Sequence, residues 1–197
     1  VFEPLHVTRM FISQEHHPQL LSPQCYRSPE HFEAEHARMM LPAWHCVGVI
    51  DELPTEGSFR TLELLGNPLV LWRKDGGVHA YLNVCAHRSC LVTSQACGTV
   101  ERLRCQYHGW EFDATGNVRK IPDARSFRPL APGMLGLKKY RAATCGRLVF
   151  VNLSESGPDL PTFLGPNYDR LREWFHADLH VAVVCDREIA ANWKVLV

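Results

Sequence analysis

Two short stretches of the chain carry metal-binding side chains in the same order, a cysteine followed by a histidine. Cys85 and His87 form the first pair, and Cys105 and His108 form the second pair. Two thiolates and two imidazoles can hold one tetrahedral zinc ion. They can also hold a [2Fe–2S] cluster in which two imidazoles replace two of the four thiolates. The residue types therefore predict a metal centre built from two loops.

The spacing within the first pair favours the cluster over the zinc ion. Zinc sites usually place two to four residues between paired ligands, so that both side chains reach one ion. Only Ala86 separates Cys85 from His87, which allows the two side chains to diverge toward two different irons. A zinc-stabilised β module for protein interaction is the alternative. Such a module would be colourless, whereas a preparation that contains the cluster would be red-brown.

The composition is that of a globular protein with 46% apolar residues and with 21 basic and 21 acidic side chains. The balanced charge gives no indication of a nucleic-acid partner or an anionic membrane partner. Because the sequence has neither an 18-residue apolar run nor a leader pattern, we expect no membrane anchor and no secretion. We expect the six cysteines outside the motifs to be reduced and mostly buried, as in a cytoplasmic protein. They are Cys25, Cys46, Cys90, Cys97, Cys145 and Cys185.

Short strands separated by turn residues are predicted on both sides of the two motifs, which favours antiparallel β structure in a sandwich or small barrel. The turn at 75–77 is typical of a hairpin. The predicted strands are 43–50, 58–65, 68–73, 78–83, 99–104, 111–113, 137–144 and 148–153.

Helices are predicted on either side of the β region. Residues 1–27 are predicted to form an extended arm, and a helix is expected to begin at Ser28 and to end at Pro42. Apolar residues at helical spacing predict a second helix over 161–175. Strands predicted at 181–184 and 189–197 would begin a new unit, so we interpret the chain as a fragment that ends shortly after a second domain begins.

With both motifs in view, the chain resembles the large (alpha) subunit of the Rieske non-haem iron oxygenases, the family that includes the aromatic-ring-hydroxylating dioxygenases. The family's first motif is Cys-x-His-Arg-Gly, and Cys85, His87 and Arg88 match it. Its second motif is Cys-x-Tyr-His-Gly-Trp, which residues 105–110 match at every specified position. The segment 191–194 is similar to the short motif that opens the family's catalytic domain.

Several positions depart from the family pattern. Ala86 and Gln106 stand where the family commonly has proline, and Ser89 stands where it has glycine, which matters if that position needs a positive φ. Cys90 is similar to an additional cysteine of the respiratory Rieske proteins, which forms a disulfide with a cysteine directly before the second histidine ligand. Here that position is Tyr107, so the resemblance gives Cys90 no such partner.

The resemblance implies a mainly β, antiparallel Rieske [2Fe–2S] domain with a sandwich or barrel base, a small cluster-binding subdomain and flanking helices. We expect an N-terminal arm and helix at 1–42 and the Rieske domain at 43–155, with its cluster-binding part at about 84–122. A linker helix and the first strands of a truncated catalytic domain are expected at 156–197.

The resemblance also implies a function and a set of ligands. Cys85 and Cys105 would bind the buried iron, and His87 and His108 would bind the exposed iron. The domain would pass single electrons from a ferredoxin or flavin reductase to a mononuclear Fe(II), which activates O2 on an organic substrate in a cytoplasmic monooxygenase or dioxygenase. That iron is expected only in the missing C-terminal domain, in the next subunit of a homotrimer, so no catalytic residue is expected in this chain.

A freestanding Rieske-type ferredoxin electron carrier without oxygenase activity is the alternative function. The arm at 1–27, the helix at 161–175 and the Asn-Trp-Lys motif at 192–194 are all surplus to such a carrier, and they favour the oxygenase.

Overall fold

The computed structural model of the chain describes residues 21–122, 124–127, 135–176 and 188–196. The chain divides into two compact units, one formed by 1–34 together with 187–197 and the other formed by 35–186. The boundaries of the arm and helix (1–42), the Rieske domain (43–155) and the final segment (156–197) remain a prediction.

The second unit is built on antiparallel strands, ten of them in the residues that the structure describes. They are β1 (Trp44–Val49), β2 (Ser58–Leu64), β3 (Asn67–Lys74), β4 (Gly77–Leu82), β5 (Cys97–Thr99), β6 (Leu103–Arg104), β7 (Glu111–Phe112), β8 (Val118–Lys120), β9 (Lys139–Cys145) and β10 (Leu148–Asn152). Seven strands form one sheet in the order β1-β10-β9-β4-β3-β2-β5, and β6, β7 and β8 form a small second sheet. The predicted mainly β, antiparallel fold with flanking helices is confirmed.

The predicted hairpin between β3 and β4 has the turn that its sequence requires. Asp75 and Gly76 have φ values of 51° and 76°, and Lys74 pairs with Gly77 across them. Two successive left-handed residues match the twist of the flanking strands, and Asp-Gly is a favoured pair for such a turn. The turn thereby fixes the register in which β4 leads to the first motif.

The strand predicted at 99–104 is wrong, because two strands of different sheets occupy this stretch. β5 pairs with β2 in the large sheet, and β6 pairs with β7 in the small sheet. The chain leaves the large sheet at Val100, whose N–H donates to the carbonyl of Gly57 at 2.9 Å. The strand-like residue pattern is uninterrupted from 99 to 104, so it did not indicate where the chain passes from the large sheet to the small sheet.

Helical segments occur in both units. They are α1 (Gln24–Arg27), α2 (Pro29–Glu35), a π-helical turn (His36–Met40), α3 (Leu160–Leu164), α4 (Asn167–Trp174) and 3-10 turns at Ile50–Glu52, Ala124–Phe127 and Trp193–Val195. The predicted helix start is present, since Ser28 Oγ accepts a hydrogen bond from the N–H of His31 at 3.1 Å. The predicted extended arm is wrong for 24–27, which are helical, and residues 1–20 of that arm lie outside the described residues.

The helix predicted at 161–175 is interrupted. Gly165 has a φ of 53° and Pro166 follows it, so α3 ends there and α4 begins at Asn167. Both residues are standard helix terminators that the sequence already contained. The strand predicted at 189–197 is also wrong, because 193–195 form a 3-10 turn capped by Asn192, whose side chain accepts from the N–H of Lys194 at 3.1 Å. The strand predicted at 181–184 lies outside the described residues.

Three apolar clusters stabilise the second unit. The first contains both ligand-type cysteines with Trp110 and Phe112. The second fills the middle of the large sheet, and the third joins β9 and β10 to α3 and α4 around Leu160. None of the helices in the described ranges has the length and apolar character needed to cross a membrane.

Candidate metal centre

The first loop leaves β4 through a buried asparagine that holds the loop closed at its base. The Asn83 side chain donates to the carbonyl of Thr93 at 2.8 Å and accepts from the N–H of Thr93 at 3.1 Å. Beyond this clamp, Val84 and Leu91 form an isolated antiparallel bridge. A paired amide clamp of this kind satisfies buried backbone groups that no strand pairs with.

The two metal-binding loops have the same backbone hydrogen bonds. In each loop the cysteine N–H donates to the carbonyl five residues later, and the cysteine carbonyl accepts from the N–H four residues later. The distances are 2.8 and 3.0 Å in the loop that begins at Cys85, and 2.8 and 2.9 Å in the loop that begins at Cys105. The two motifs are therefore two copies of one turn, although one has a single residue between its ligands and the other has two.

The fourth residue after each cysteine is in the left-handed region. Gly109 has a φ of 70° and Ser89 has a φ of 53°. The sequence predicted that Ser89 would matter if its position needed a positive φ, and the position does need one. A side chain at Gly109 would also meet the Arg104 guanidinium, since a Cβ there would lie 3.1 Å from its nearest nitrogen.

The loops bring the four predicted ligands together as two like pairs. Cys85 and Cys105 are 1% and 2% exposed, and they belong to the same buried apolar cluster. His87 and His108 are half-buried, and their ring centroids are 4.7 Å apart. The two thiols therefore lie buried at the base of the site, and the two imidazoles lie nearer to its surface.

The surroundings of the two thiols differ. Burial raises the pKa of the Cys85 thiol to about 12. Burial also acts to raise the pKa of Cys105, but hydrogen bonds from the N–H groups of Tyr107 and His108 outweigh it and lower the pKa. A coordinated metal ion deprotonates a thiol outright, and backbone N–H groups that point at the sulfur then stabilise the thiolate.

Aromatic rings hold the two imidazoles in place. The His87 ring stacks on Trp110 with a centroid distance of 4.8 Å and an interplanar angle of 3°. The Tyr107 ring lies 3.8 Å from the His108 ring. Burial, followed by the neighbouring His108, lowers the pKa of His87, which favours the neutral form of the ring that binds metals.

The buried nitrogen of one histidine indicates that these residues fit a bound metal. His108 Nδ1 is buried and has no hydrogen-bond partner among the described residues. A buried unpaired nitrogen costs about 1–3 kcal/mol, and coordination of a metal would satisfy it. In the same ranges no set of three His, Cys, Asp or Glu side chains is arranged to hold a single metal ion, whereas the two pairs described above match two metal ions with two protein ligands each.

The other cysteines only partly match the sequence prediction. No disulfide joins the cysteines of the described ranges, and Cys185 lies outside them. Of the rest, only Cys145 is buried, while Cys46 and Cys97 are exposed and Cys25 is half-buried. The prediction that most are buried is therefore wrong.

Cys90, which the sequence analysis left without a partner, lies beside the site. Its Sγ lies 3.5 Å from the Sγ of Cys105, a ligand-type residue of the other loop. Its spacing from Cys85 was visible in the sequence, but that spacing does not show which side chain of the second loop it meets.

Comparisons with known proteins agree with this geometry. A family model described as "Rieske [2Fe-2S] domain" matches residues 43–141. The chain is 30% identical over 173 residues to the glycine betaine monooxygenase oxygenase subunit of Chromohalobacter salexigens, covering 87% of this chain and 39% of that protein. It is 31% identical over 166 residues to the anthranilate 1,2-dioxygenase large subunit of Burkholderia cepacia, covering 78% of this chain and 38% of that protein.

The fold has a close counterpart among solved structures. The quaternary ammonium Rieske monooxygenase CntA superposes with a TM-score of 0.81 and 25% sequence identity, covering 88% of this chain and 49% of that chain. The chain thus spans less than half the length of each of these three proteins.

Proposed function

Since the chain belongs to the Rieske [2Fe–2S] domain family, we propose that it is the electron-transfer domain of an oxygenase large subunit. The observation that carries the proposal is the convergence of two buried thiols and two half-buried imidazoles on two loops with the same hydrogen bonds. The relatives add support, because the chain is similar to part of each of two proteins that are oxygenase subunits.

The four site residues have two roles in this proposal. Cys85 and Cys105 hold the buried iron as thiolates, and His87 and His108 hold the outer iron as neutral imidazoles. A bound cluster of this kind supplies one-electron transfer at about −150 to +300 mV. The protein keeps the sulfur ligands away from water, donates N–H groups to the Cys105 sulfur and fixes both imidazole rings against aromatic neighbours.

The rest of the proposal concerns the longer protein. We infer that a ferredoxin or flavin reductase supplies the electrons, and that they pass to a mononuclear Fe(II) in a following domain, in the next subunit of a homotrimer. The relatives include a monooxygenase named for glycine betaine and a dioxygenase named for anthranilate, so the proposal covers both reaction types on an organic substrate. A cytoplasmic location is part of the same proposal.

Metal analysis of the purified chain and a matched pair of histidine variants tests the ligand assignment. We expect about two irons and two acid-labile sulfides per chain, with a red-brown colour. His108→Ala should lose most of this content because it removes one of the outer iron's two protein ligands. His79→Ala is the control, since His79 is also half-buried but lies on β4 and bonds to the carbonyl of Lys74.

A colourless chain with one zinc ion would overturn the cluster assignment, as would a His108→Ala variant that keeps its full iron and sulfide content. Circular dichroism of both variants shows whether a loss of iron reflects lost ligation or lost folding. The coding sequence beyond Val197 separates the two functions. A reading frame with a two-histidine, one-carboxylate site supports the oxygenase, and a stop codon supports the freestanding carrier.

A further inference from the structure

Cys90 is a third thiol at the metal centre, and the proposed function does not use it. Its Sγ lies 3.5 Å from the Sγ of Cys105, and its side chain packs against the apolar cluster that contains both ligand cysteines. Cys90 is half-buried, whereas Cys85 and Cys105 are almost fully buried. The two more deeply buried thiols already form the sulfur pair, so Cys90 is not needed as a ligand.

The backbone fixes where Cys90 lies. Its carbonyl accepts from the N–H of Cys85 at 2.8 Å, and Trp110 occupies the same position in the second loop, where its carbonyl accepts from the N–H of Cys105 at 2.8 Å. Each of these two equivalent residues contacts a ligand-type residue of the opposite loop. Trp110 stacks on His87 of the first loop, and Cys90 touches Cys105 of the second loop.

The chemistry of this contact depends on which sulfur carries a proton. In the free chain either thiol can donate to the other. Once Cys105 binds iron as a thiolate it can only accept, whereas Cys90, which binds no metal in this proposal, has an S–H that can donate. The geometry therefore leaves one direction for the hydrogen bond, from Cys90 to Cys105.

We propose that Cys90 is a positioning residue whose S–H donates a hydrogen bond to the Cys105 sulfur and thereby raises the reduction potential of the centre. Hydrogen bonds to the sulfurs are among the factors that set the potential of an iron–sulfur centre. The donor stabilises the reduced centre more than the oxidised one, because the reduced centre carries one more negative charge. This inference rests on the proposed function, since it requires that Cys105 is a ligand.

Redox titration of three cluster-containing variants at pH 7 tests the role of Cys90. We expect Cys90→Ala to keep its iron and sulfide content and to shift the midpoint potential downward. Cys90→Ser should recover at least part of that shift, because its hydroxyl also donates. Cys97→Ala removes an exposed thiol on β5 and should leave the potential unchanged.

Three results would overturn the role of Cys90. These are a Cys90→Ala potential equal to that of the unchanged chain, a Cys90→Ser potential as low as that of Cys90→Ala, and loss of the cluster in Cys90→Ala. The second result would mean that packing, not donation, sets the potential, and the third would make Cys90 a ligand. If the unchanged chain binds no iron and sulfide, the proposed function itself fails, before any variant is compared.

Discussion

Ser89 occupies a backbone conformation that suits glycine. Its φ of 53° lies in the left-handed region, which costs a residue with a side chain roughly 1–2 kcal/mol. The equivalent residue of the second loop is Gly109, with a φ of 70°. The first loop thus contains strain that the second loop avoids, in the turn that carries the ligand-type residues Cys85 and His87.

Replacement of Ser89 by glycine should stabilise the chain. We expect Ser89→Gly to raise the free energy of unfolding by about 0.5–1 kcal/mol, since relief of the left-handed strain exceeds the added entropy of the unfolded chain. Chemical denaturation monitored by tryptophan fluorescence measures this change. The control is Ser156→Gly, at an exposed serine without a positive φ, which should lower stability slightly. Equal effects of the two substitutions would contradict the strain argument.

At this scale the sequence predicted the four ligand-type residues, because residue type and spacing alone limit which metals they can bind. It also predicted that position 89 would be sensitive to the sign of φ. The contacts of Cys90 with Cys105 and of Trp110 with His87 could not be predicted, because they depend on how two loops from separate parts of the sequence face each other.

The small sheet that supports the second loop is too short to be stable by itself. β6 and β7 have two residues each and β8 has three, whereas an isolated hairpin is marginal even with longer strands. The turn between β7 and β8 is therefore held from outside. The buried Tyr81 hydroxyl of β4 donates to the carbonyl of Ala114 in that turn, and the N–H of Leu137 donates to the carbonyl of Gly116 at 2.8 Å.

Asp113 closes the same turn from within. Its Oδ1 accepts from the N–H of Thr115 at 2.9 Å and from the N–H of Asn117 at 3.2 Å. Burial acts to raise the pKa of Asp113, but these hydrogen bonds, that of the Thr115 hydroxyl and the charge of Arg119 outweigh it, so the pKa is lowered. A carboxyl whose pKa is lower in the folded state stabilises the fold when it is ionised.

The turn should therefore weaken in acid. Above the unfolded pKa of about 3.9 the stabilisation by Asp113 is complete, and it is lost as the pH falls through the lower folded pKa. We expect Asp113→Asn to lower the free energy of unfolding by about 1–2 kcal/mol at pH 7. The difference from the unchanged chain should shrink as the pH falls below about 4.

Urea denaturation at a series of pH values measures this effect. Asp169→Asn is the control, because Asp169 is 79% exposed and pairs with Arg172 on the surface of α4. Exposed ion pairs contribute little to stability. A difference between Asp113→Asn and the unchanged chain that stays constant from pH 7 to pH 2 would show that ionisation of Asp113 does not stabilise the turn.

The strands that the sequence predicted correctly are those with a local signal, such as the left-handed Asp75-Gly76 turn between β3 and β4. The strand predicted at 99–104 failed because the choice between two sheets is made by the pairing partners, β2 for β5 and β7 for β6, and the residue pattern of the stretch itself does not specify them. The break between α3 and α4 is different, since Gly165 and Pro166 mark it in the sequence and the helical spacing of the apolar residues masked it.

Two apolar clusters of the larger unit differ in how close they lie to the metal centre. We therefore expect packing in one of them to affect stability without affecting the site. Leu103 is 2% exposed in the cluster that contains the ligand cysteines, and Leu160 is 1% exposed in the cluster under the helices. The first of these clusters takes its large-sheet residues from β2, β3 and β4, and the other takes them from β1, β9 and β10, so the two clusters share no strand. The same leucine-to-alanine substitution in each cluster should therefore affect the retention of iron at the site to different extents.

Leucine-to-alanine substitution at each position tests this separation. Both Leu103→Ala and Leu160→Ala should lower the free energy of unfolding by about 2–5 kcal/mol. Only Leu103→Ala should also speed the loss of iron to a chelator at a temperature at which both variants are folded, because Leu103 lies two residues before Cys105. Equal rates of iron loss would contradict the separation of the two clusters.

At the scale of the whole molecule, the mainly β, antiparallel class was predicted because strand patterns and the two specific motifs agreed with each other. The hydrogen bond from the Asn192 side chain to the carbonyl of Tyr26, at 3.2 Å, could not be predicted, because contacts between distant parts of a chain leave no periodic signal in either part.

The equivalent positions of Cys90 and Trp110 also limit how the loops can change in length. Each residue reaches the opposite loop only because it stands five positions after its own cysteine. One residue inserted after His87 would keep all four ligands in order and would still move Cys90 away from Cys105. The site is thus specified by six residues at fixed offsets, so a search for the four ligands alone would accept chains whose loops do not fit each other.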